Sequence, residues 1–362
     1  MKKEIVFLED SSKSQFGGGQ RISLIVLKEL STKYFITLFD TSLDSRFNIE
    51  ASQYVSKSYQ LSNFSKVKSG KYGVFLKIIE ACIFPFFIFL NIIKIKNTLD
   101  KSTEVILFAT TKKVLIYAYF LNVLWKYNFV YHAHLVEKKR IVRFFYLKTL
   151  KKAKYVIAVS DIVKRNIGLK NVVLISNPID LIIRSNFPKV FQKKVIVATF
   201  STLIDVKGIN YFIESYQYLN TNVDVEYWIF GEGPEKKNLI ESACNKVFFK
   251  GFCDDVVGEL SQFVHILCFP SIIEESFGMV IIEAFSSGVP VITTNIGGQS
   301  ELVKDGYNGL HVSIKCAQEI AEKVTFLCNS PDLYKTFSCN ALSSVKDFDI
   351  SIFNKKLQKI VI

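Results

Sequence analysis

Residues 274–302 read EESFGMVIIEAFSSGVPVITTNIGGQSEL, and the order of residue types in this stretch decides the fold. Glu275 and Glu283 bracket a Phe277-Gly278 turn and the start of an apolar helix. The apolar run Val289 to Thr293 reads as a buried strand, and a Gly297-Gly298 loop ending at Glu301 follows it. Acid, turn, helix, strand and glycine loop together make one wall of a cleft suited to polyols. Carboxylates accept strongly from vicinal hydroxyls, and a helix N-terminus beside them can hold a phosphate. Eight helical residues rise about 12 Å, too far for a hydrolytic acid and nucleophile on one helix. Glu275 is expected to precede the helix. The pair therefore suits gripping hydroxyls better than cleaving a bond by acid and base.

Outward from this stretch, short apolar runs alternate with helical patterns. Strands are expected at 5–8, 34–39, 105–109, 129–132, 155–159 and 172–175, then at 195–200, 225–230, 247–250, 266–269 and 289–293. Nearly all are continuously apolar, the mark of parallel strands covered on both faces. Helices with stripes such as Ile22, Ile25, Val26, Leu30 and Ile209, Phe212, Ile213, Tyr216 fall between them. The polar stretch 180–194, with Pro188 inside it, separates two such series and places a domain boundary near 187. The expected fold is α/β, two doubly wound Rossmann-like domains (1–187 and 188–345) facing a deep cleft, with ligands beyond the carboxyl ends of the strands. A last helical stripe, Ile352, Phe353, Leu357 and Ile360, needs a partner of its own.

A chain of 362 residues at 49% hydrophobic can bury two cores, and 22% charged residues exclude a disordered chain. The net charge of +13 is uneven: residues 1–187 carry 30 Lys and Arg against 13 Asp and Glu, and the remainder carry 16 against 20. A basic first half implies an anionic partner such as a membrane surface, a nucleic acid or a phosphorylated substrate. Seven cysteines without CxxC spacing read as reduced core residues of a cytosolic protein. The start, MKKEIVFLED, reads as a first strand rather than a signal peptide. In the most apolar stretch, 74–93, the uninterrupted run from Ala81 to Leu90 is shorter than the ~20 residues a bilayer span takes. It reads as a segment dipping into one leaflet or as a core helix pair broken at Pro85.

Glycine totals only 17, yet it clusters after strands at Gly17-Gly18-Gly19, Gly231, Gly233 and Gly297-Gly298, where backbones must approach something closely. Gly17–Gly19 opens a helix but lacks the dinucleotide spacing, whose third glycine falls at Ile22. Lys207-Gly208 ends a loop after a strand, where an ammonium can neutralise a diphosphate. His132 and His134 share one face of a strand, with no neighbouring acid or cysteine to complete a metal site.

FSTLIDVKG, IFGEGPEKKNL, VFFKGFCDD and the 274–302 stretch occur in order, preceded by the Gly17–Gly19 loop, HAH, AVSD (158–161) and SNPID (176–180). With these motifs the chain resembles the retaining glycosyltransferases of family 4, which have the GT-B fold. The resemblance is close over the second half and loose over the first. It implies that Lys207 holds the donor diphosphate, Glu283 the nucleotide ribose and Glu275 the donor sugar. It also implies that Phe277, Gly278 and Met279 offer backbone N–H groups, that Phe252 lines the base pocket, and that Gly231 and Val280 belong to the donor site. Gly18 and Gly19 would close over the phosphates, and His134, or else His132, would sit near the anomeric carbon. Residues 346–362 would form a helix packing back on the first domain. The family needs no metal and no cofactor beyond its nucleotide-sugar substrate. Thr202 stands where the family usually has an arginine, which removes a second phosphate clamp.

These readings make the chain a metal-independent transferase, moving a sugar from a nucleotide-sugar, UDP-linked by preference, to a lipid-linked or polysaccharide acceptor of bacterial surface glycans. Lys148, Lys151 and Lys152, in a segment (138–170) with eleven Lys and Arg and one acid, are the expected acceptor or membrane contacts, which places the protein on the inner face of the plasma membrane. The competing readings are a UDP-sugar epimerase of the same fold and a basic nucleic-acid-binding protein; the latter leaves the two glutamates unexplained.

Overall fold

Continuous apolar runs give strands that must be covered on both faces. The computed structural model, which describes residues 3–11, 16–62, 73–99, 103–179, 189–191 and 194–361, and of 73–84 the backbone alone, uses them that way. The chain divides into two compact units. The first takes Met1–Val159, Val163–Ile175 and Asn354–Ile362; the second takes Ser160–Ile162 and Ser176–Phe353. The boundary expected near 187 lies outside the described residues, and the division by contacts falls at 175/176.

The first unit holds β1 (Lys3–Leu8), β2 (Phe35–Asp40), β3 (Lys57–Gln60), β4 (Glu104–Ala109), β5 (Asn128–Ala133), β6 (Tyr155–Ala158) and β7 (Val172–Leu174), all parallel, in the order β3-β2-β1-β4-β5-β6-β7. The second holds β8 (Lys194–Phe200), β9 (Asp224–Phe230), β10 (Val247–Gly251), β11 (Ile266–Phe269), β12 (Val291–Thr294) and β13 (Gly309–Val312), also parallel, in the order β10-β9-β8-β11-β12-β13. Each sheet winds outward in both directions from a central pair, β1/β4 and β8/β11. The crevice at such a switch point is where doubly wound sheets bind ligands.

Two strands escaped the apolar-run reading. β3 is KSYQ, a polar sheet edge mostly open to water, and edges do not need apolar runs. β13 is GLHV, short and led by Gly309, where a Cβ would stand 2.1 Å from the Val291 carbonyl oxygen.

The second core gathers Val195, Val197, Phe212, Tyr227, Ile229, Ile266 and Phe337, with Phe212 and Tyr227 stacked at 4.2 Å between ring centroids. Burying each aromatic ring contributes roughly 1.5–3 kcal/mol. Cys268 and Cys328 belong to this core, but Cys244 and Cys339 are exposed thiols, so the core reading of the cysteines holds only in part.

Helix Gly18–Ser31 buries Ile22, Val26, Leu27 and Leu30, and Leu27 takes the place expected for Ile25. The last helix, Ile350–Val361, buries Phe353, Leu357, Ile360 and Val361 and leaves Ile352 outside the stripe. Its residues from Asn354 onward group with the first unit, where Gln358 accepts from Lys33 Nζ at 2.6 Å and donates to Glu29.

Helix Gly73–Thr98 runs through Pro85 without the expected break. Proline removes one i→i−4 bond, and the helix is held further along by Asn91, which bonds both backbone groups of Ser62 and the Tyr117 hydroxyl. Phe86 and Phe89 on it are exposed, so it is not wholly a core helix. No helix among the described residues is long and apolar enough to cross a membrane.

Candidate active site

The crevice between β8 and β11 collects the acid and the cation that the sequence singles out. Lys207 closes a 3-10 turn, Asp205–Lys207, after β8, and Glu275 lies in the loop after β11. Lys207 Nζ meets Glu275 Oε1 at 2.6 Å, each side chain about one-fifth exposed. Ser271 Oγ donates to the same oxygen at 2.9 Å. Oε2 of Glu275 takes no hydrogen bond among the described residues.

The two loops can meet because side chains are missing between them. Gly208 sits at φ +68°, and a Cβ there would stand 2.2 Å from the Pro270 carbonyl oxygen. Ile272 N–H then donates to the Val206 carbonyl at 3.0 Å. Gly231 (φ +136°) does the same for the loop after β9: its Cβ would fall 1.8 Å from the Ser201 carbonyl oxygen.

The glycine loop after β12 fixes Glu275 from the other side. Gly298 N–H donates to the Glu275 carbonyl at 2.7 Å. Gln299, fully buried, accepts the Glu275 N–H at 2.9 Å and donates to the Ile273 carbonyl at 3.1 Å and to Thr294 Oγ1 at 3.3 Å. Ser271 and Gln299 are thus site-shaping residues that the sequence reading missed. Gln299 was visible as the polar position inside GGQSE, though nothing in the spacing set it apart. Glu301, which ends that motif, accepts the Asp161 N–H at 2.9 Å, and both residues belong to the second unit.

Glu275 precedes the helix Met279–Ser286, as expected, and Glu283 lies within it, 8% exposed. Gly278 is the N-cap at φ +115°, and no side chain caps this end. The first-turn N–H groups there belong to Met279 and Val280. Phe277 is buried against Phe348. Thr202 is exposed in the loop after β8.

A cavity of about 510 Å³ opens beyond β9 and β10, lined by Phe230, Phe249, Lys250, Phe252, Asp254 and Glu259 among others. Lys250 Nζ lies 3.9 Å from the Trp228 ring centroid. Aromatic faces with polar groups at the rim suit a flat heterocycle.

The remaining expected residues belong to the first unit. Gly18 and Gly19 are exposed at the start of Gly18–Ser31, with Gly17 as N-cap. His132 and His134 do share a face, with ring centroids 4.0 Å apart. His132 is fully buried, and neither of its ring nitrogens has a partner; nor does His134 Nε2. Burial pushes His132 well below the usual histidine range, helped by its neighbour, and burial pushes His134 down to about 4. Both are neutral imidazoles near pH 7, able to exchange hydrogen bonds but not to carry charge. Among the described residues no three His, Cys, Asp or Glu side chains come together as a metal site. Lys148, Lys151 and Lys152 are exposed at the C-terminal turn of Arg140–Leu150, where cations complement the helix dipole.

The β1/β4 crevice holds a residue the sequence reading passed over. Glu9 is 2% exposed, and its Oε2 has no partner. Burial, aided by the charge of Asp40, raises it to about 7, against the opposing pull of Ser23, the Asp10 backbone and Thr110.

Residues 183–343 match the family model described as glycosyl transferases group 1. Over these residues, somewhat less than half of its length, the chain is similar to the glycosyl transferases of group 1. Lys207, Glu275, Gln299 and the cavity beside Phe252 all fall inside the group 1 region; Gly18, Gly19, His132 and His134 precede it. Among curated relatives, N-acetyl-alpha-D-glucosaminyl L-malate synthase of Bacillus anthracis is 26% identical over 42% of this chain and 41% of its own length. The GalNAc-alpha-(1->4)-GalNAc-alpha-(1->3)-diNAcBac-PP-undecaprenol alpha-1,4-N-acetyl-D-galactosaminyltransferase of Campylobacter jejuni is 27% identical over 57% of this chain and 58% of its own length. The chain thus spans about half the length of the curated relatives it matches. Among solved structures, Anabaena HepE in complex with UDP and glucose superposes with a TM-score of 0.80 at 19% identity, covering 99% of both chains. Sucrose-phosphate synthase of Thermosynechococcus elongatus gives 0.80 at 16% identity, covering 99% of this chain and 98% of its own. The fold is therefore GT-B, two Rossmann-like α/β units.

Proposed function

We propose that this chain is a retaining, metal-independent glycosyltransferase that takes a sugar from a UDP-linked donor and passes it to a lipid-linked or polysaccharide acceptor of a bacterial surface glycan. The observation that carries the reading is the Lys207–Glu275 pair at 2.6 Å in the β8/β11 crevice. The crossover loops hold it there, and Glu275 Oε2 is left for an incoming hydroxyl. The HepE complex with UDP and glucose supports the donor class, and the undecaprenol-linked substrate in the name of the Campylobacter relative supports the acceptor class.

The chemistry follows from charge. Breaking the bond between the anomeric carbon and the diphosphate oxygen leaves negative charge on the diphosphate. Lys207 Nζ and the uncapped N–H groups of Gly278, Met279 and Val280 are suited to receive it. Lys207 exchanges the Glu275 carboxylate for phosphate, which leaves Glu275 Oε2, and Oε1 beside its bond from Ser271, to accept from the sugar. Glu283 takes the ribose hydroxyls, and the cavity beside Phe252 takes the base. An acceptor hydroxyl attacks from the face the diphosphate leaves, and its proton passes to the departing phosphate, so no charged protein base is required. In the first unit, Lys148, Lys151 and Lys152 are exposed and suit an anionic carrier, and neutral His134 can exchange hydrogen bonds.

The test is a screen of sugar nucleotides for hydrolysis and for transfer, with Glu275→Ala as control. Release of nucleotide that requires UDP-sugar and is lost in the variant supports the reading. Interconversion of sugar nucleotides with no acceptor dependence would make the protein an epimerase instead.

A further inference from the structure

A surface helix of a protein that sits in water normally turns its apolar stripe inward. Helix Arg140–Leu150, RIVRFFYLKTL, has two. The inward one is Tyr146 and Leu150, both buried, with Arg143 Nη2 donating to the Asn166 carbonyl at 2.6 Å to fix the helix. The outward one is Ile141, Phe144 and Phe145, which are 75%, 65% and 61% exposed. At i, i+3 and i+4 these three share one face, and Lys148 at i+7 continues the same line. Leu135, 57% exposed, lies on the segment leading into the helix. The neighbouring helix Lys112–Trp125, which packs on this one, exposes Leu124 at 57%.

Charge identifies the occupant. Residues 138–154 contain eight Lys and Arg and no Asp or Glu, and Lys138, Lys139, Arg140, Lys148, Lys151 and Lys152 are exposed. Large apolar side chains on a segment whose charges are all cationic do not suit a second copy of the same face, because like charges would meet across it. They suit an interface whose surface is anionic and whose interior is hydrocarbon. We propose that Arg140–Leu150 lies in the plane of an anionic bilayer surface, with Ile141, Phe144 and Phe145 in the acyl boundary and Lys148, Lys151 and Lys152 among the headgroups. This deepens the reading of a lipid-linked acceptor but does not depend on the transfer reaction.

The test is co-sedimentation of the full chain with phosphatidylcholine vesicles, with and without phosphatidylglycerol. Binding should require the anionic lipid. Lys148→Gln, Lys151→Gln and Lys152→Gln together should weaken it about a hundredfold at low salt, and F144S with F145S at least about tenfold. F145W should show a blue-shifted emission on binding, quenched by brominated acyl chains. E275A should bind vesicles like the parent, and F144S/F145S should hydrolyse sugar nucleotide in solution like the parent. Absence of vesicle binding, or binding that ignores Phe144 and Phe145, overturns the proposal while leaving the enzymatic reading standing. So does a concentration-dependent dimer that F144S/F145S dissolves, which would assign the face to a second copy.

Discussion

The two sheets are wound alike, yet the crevices at their crossovers are furnished in opposite ways. Between β8 and β11 stand a cation and a carboxylate, paired at 2.6 Å and still reached by water. Between β1 and β4 stands Glu9, sealed from water, with one oxygen unpartnered and its carboxyl lifted to about 7. Nearby, Lys113 pairs with Asp10 at 2.9 Å, and the Asp10 N–H donates to Glu9 Oε1 at 3.1 Å. The same scaffold thus keeps charge available at one crossover and suppresses it at the other, and access of water makes the difference. A charge that is to exchange partners with a diphosphate must stay solvated enough to move, whereas a neutral carboxyl can only lend or accept a hydrogen bond.

The sharpest way to break this contrast is to remove the charged pair. Glu275→Ala or Lys207→Ala should lower turnover of sugar nucleotide by about 10²–10³. Because the pair is partly solvated, global stability should fall by no more than about 1 kcal/mol in denaturant titration. A large loss of stability with turnover intact would make the pair a structural bridge.

Gly208→Ala probes how the charged crevice is assembled. A methyl group there collides with the Pro270 carbonyl at a φ that alanine disfavours. It should cost about 3 kcal/mol or more, read from the midpoint of urea unfolding. Normal stability would mean that the loops after β8 and β11 do not pack as described.

The neutral crevice is tested by pH. Glu9 keeps its proton in the folded chain up to about 7, whereas an unfolded glutamate loses it near its ordinary value of about 4.3. Between these values the folded state binds more protons, so the Glu9 contribution is complete at the acid end and is lost as pH rises to about 7. Glu9→Gln, neutral at every pH, should therefore be more stable than the parent by about 3–4 kcal/mol near pH 8, with little difference near pH 4. A difference that does not vary with pH would show that Glu9 is solvated and charged like Glu275.

Gln299→Leu separates positioning from contact. It strands the buried Glu275 N–H and the Ile273 carbonyl, at about 2 kcal/mol of stability. It should lower kcat more than it raises KM, because it moves the grip on the sugar without removing any group that touches the nucleotide. Gln299→Glu, which keeps the acceptor on the Glu275 N–H, should recover part of kcat; equal damage from both variants would make Gln299 a core residue only.

Much of this was legible in the chain. Eleven apolar runs became strands because parallel strands buried on both faces have no alternative composition, and Gly231 and Gly297 marked where backbones must meet. Lys207 and Glu275 stood out only by the motifs around them, and the structure brings the two together at 2.6 Å. What escaped has a physical pattern as well. β3 is a polar edge, for which composition carries no signal. Gln299 and Ser271 act through single hydrogen bonds across 24 and 4 residues of sequence, which no periodicity encodes. Glu9 looks like any acid at the end of a strand until its burial is known. The outward face of Arg140–Leu150 was read as a line of lysines, because two apolar stripes on one helix cannot be told from a single buried one by spacing.

The smallest effect tests whether the charged crevice is complete. Thr202 stands where the resemblance to the retaining glycosyltransferases implies an arginine, and Thr202 is exposed in the loop after β8. The backbone there is held independently of that side chain: the Thr202 carbonyl accepts from Ile204 N–H at 2.9 Å and from Ser201 Oγ at 3.1 Å. Thr202→Arg therefore changes charge without changing the loop. A guanidinium facing the diphosphate should lower KM for the sugar nucleotide about tenfold, since a charge-assisted hydrogen bond contributes roughly 1.5 kcal/mol. It should raise kcat only as far as the new bond strengthens while the phosphate departs. An unchanged KM would mean that Thr202 does not face the phosphates, and that Lys207 with the N-terminus of Met279–Ser286 already neutralises them without a second cation.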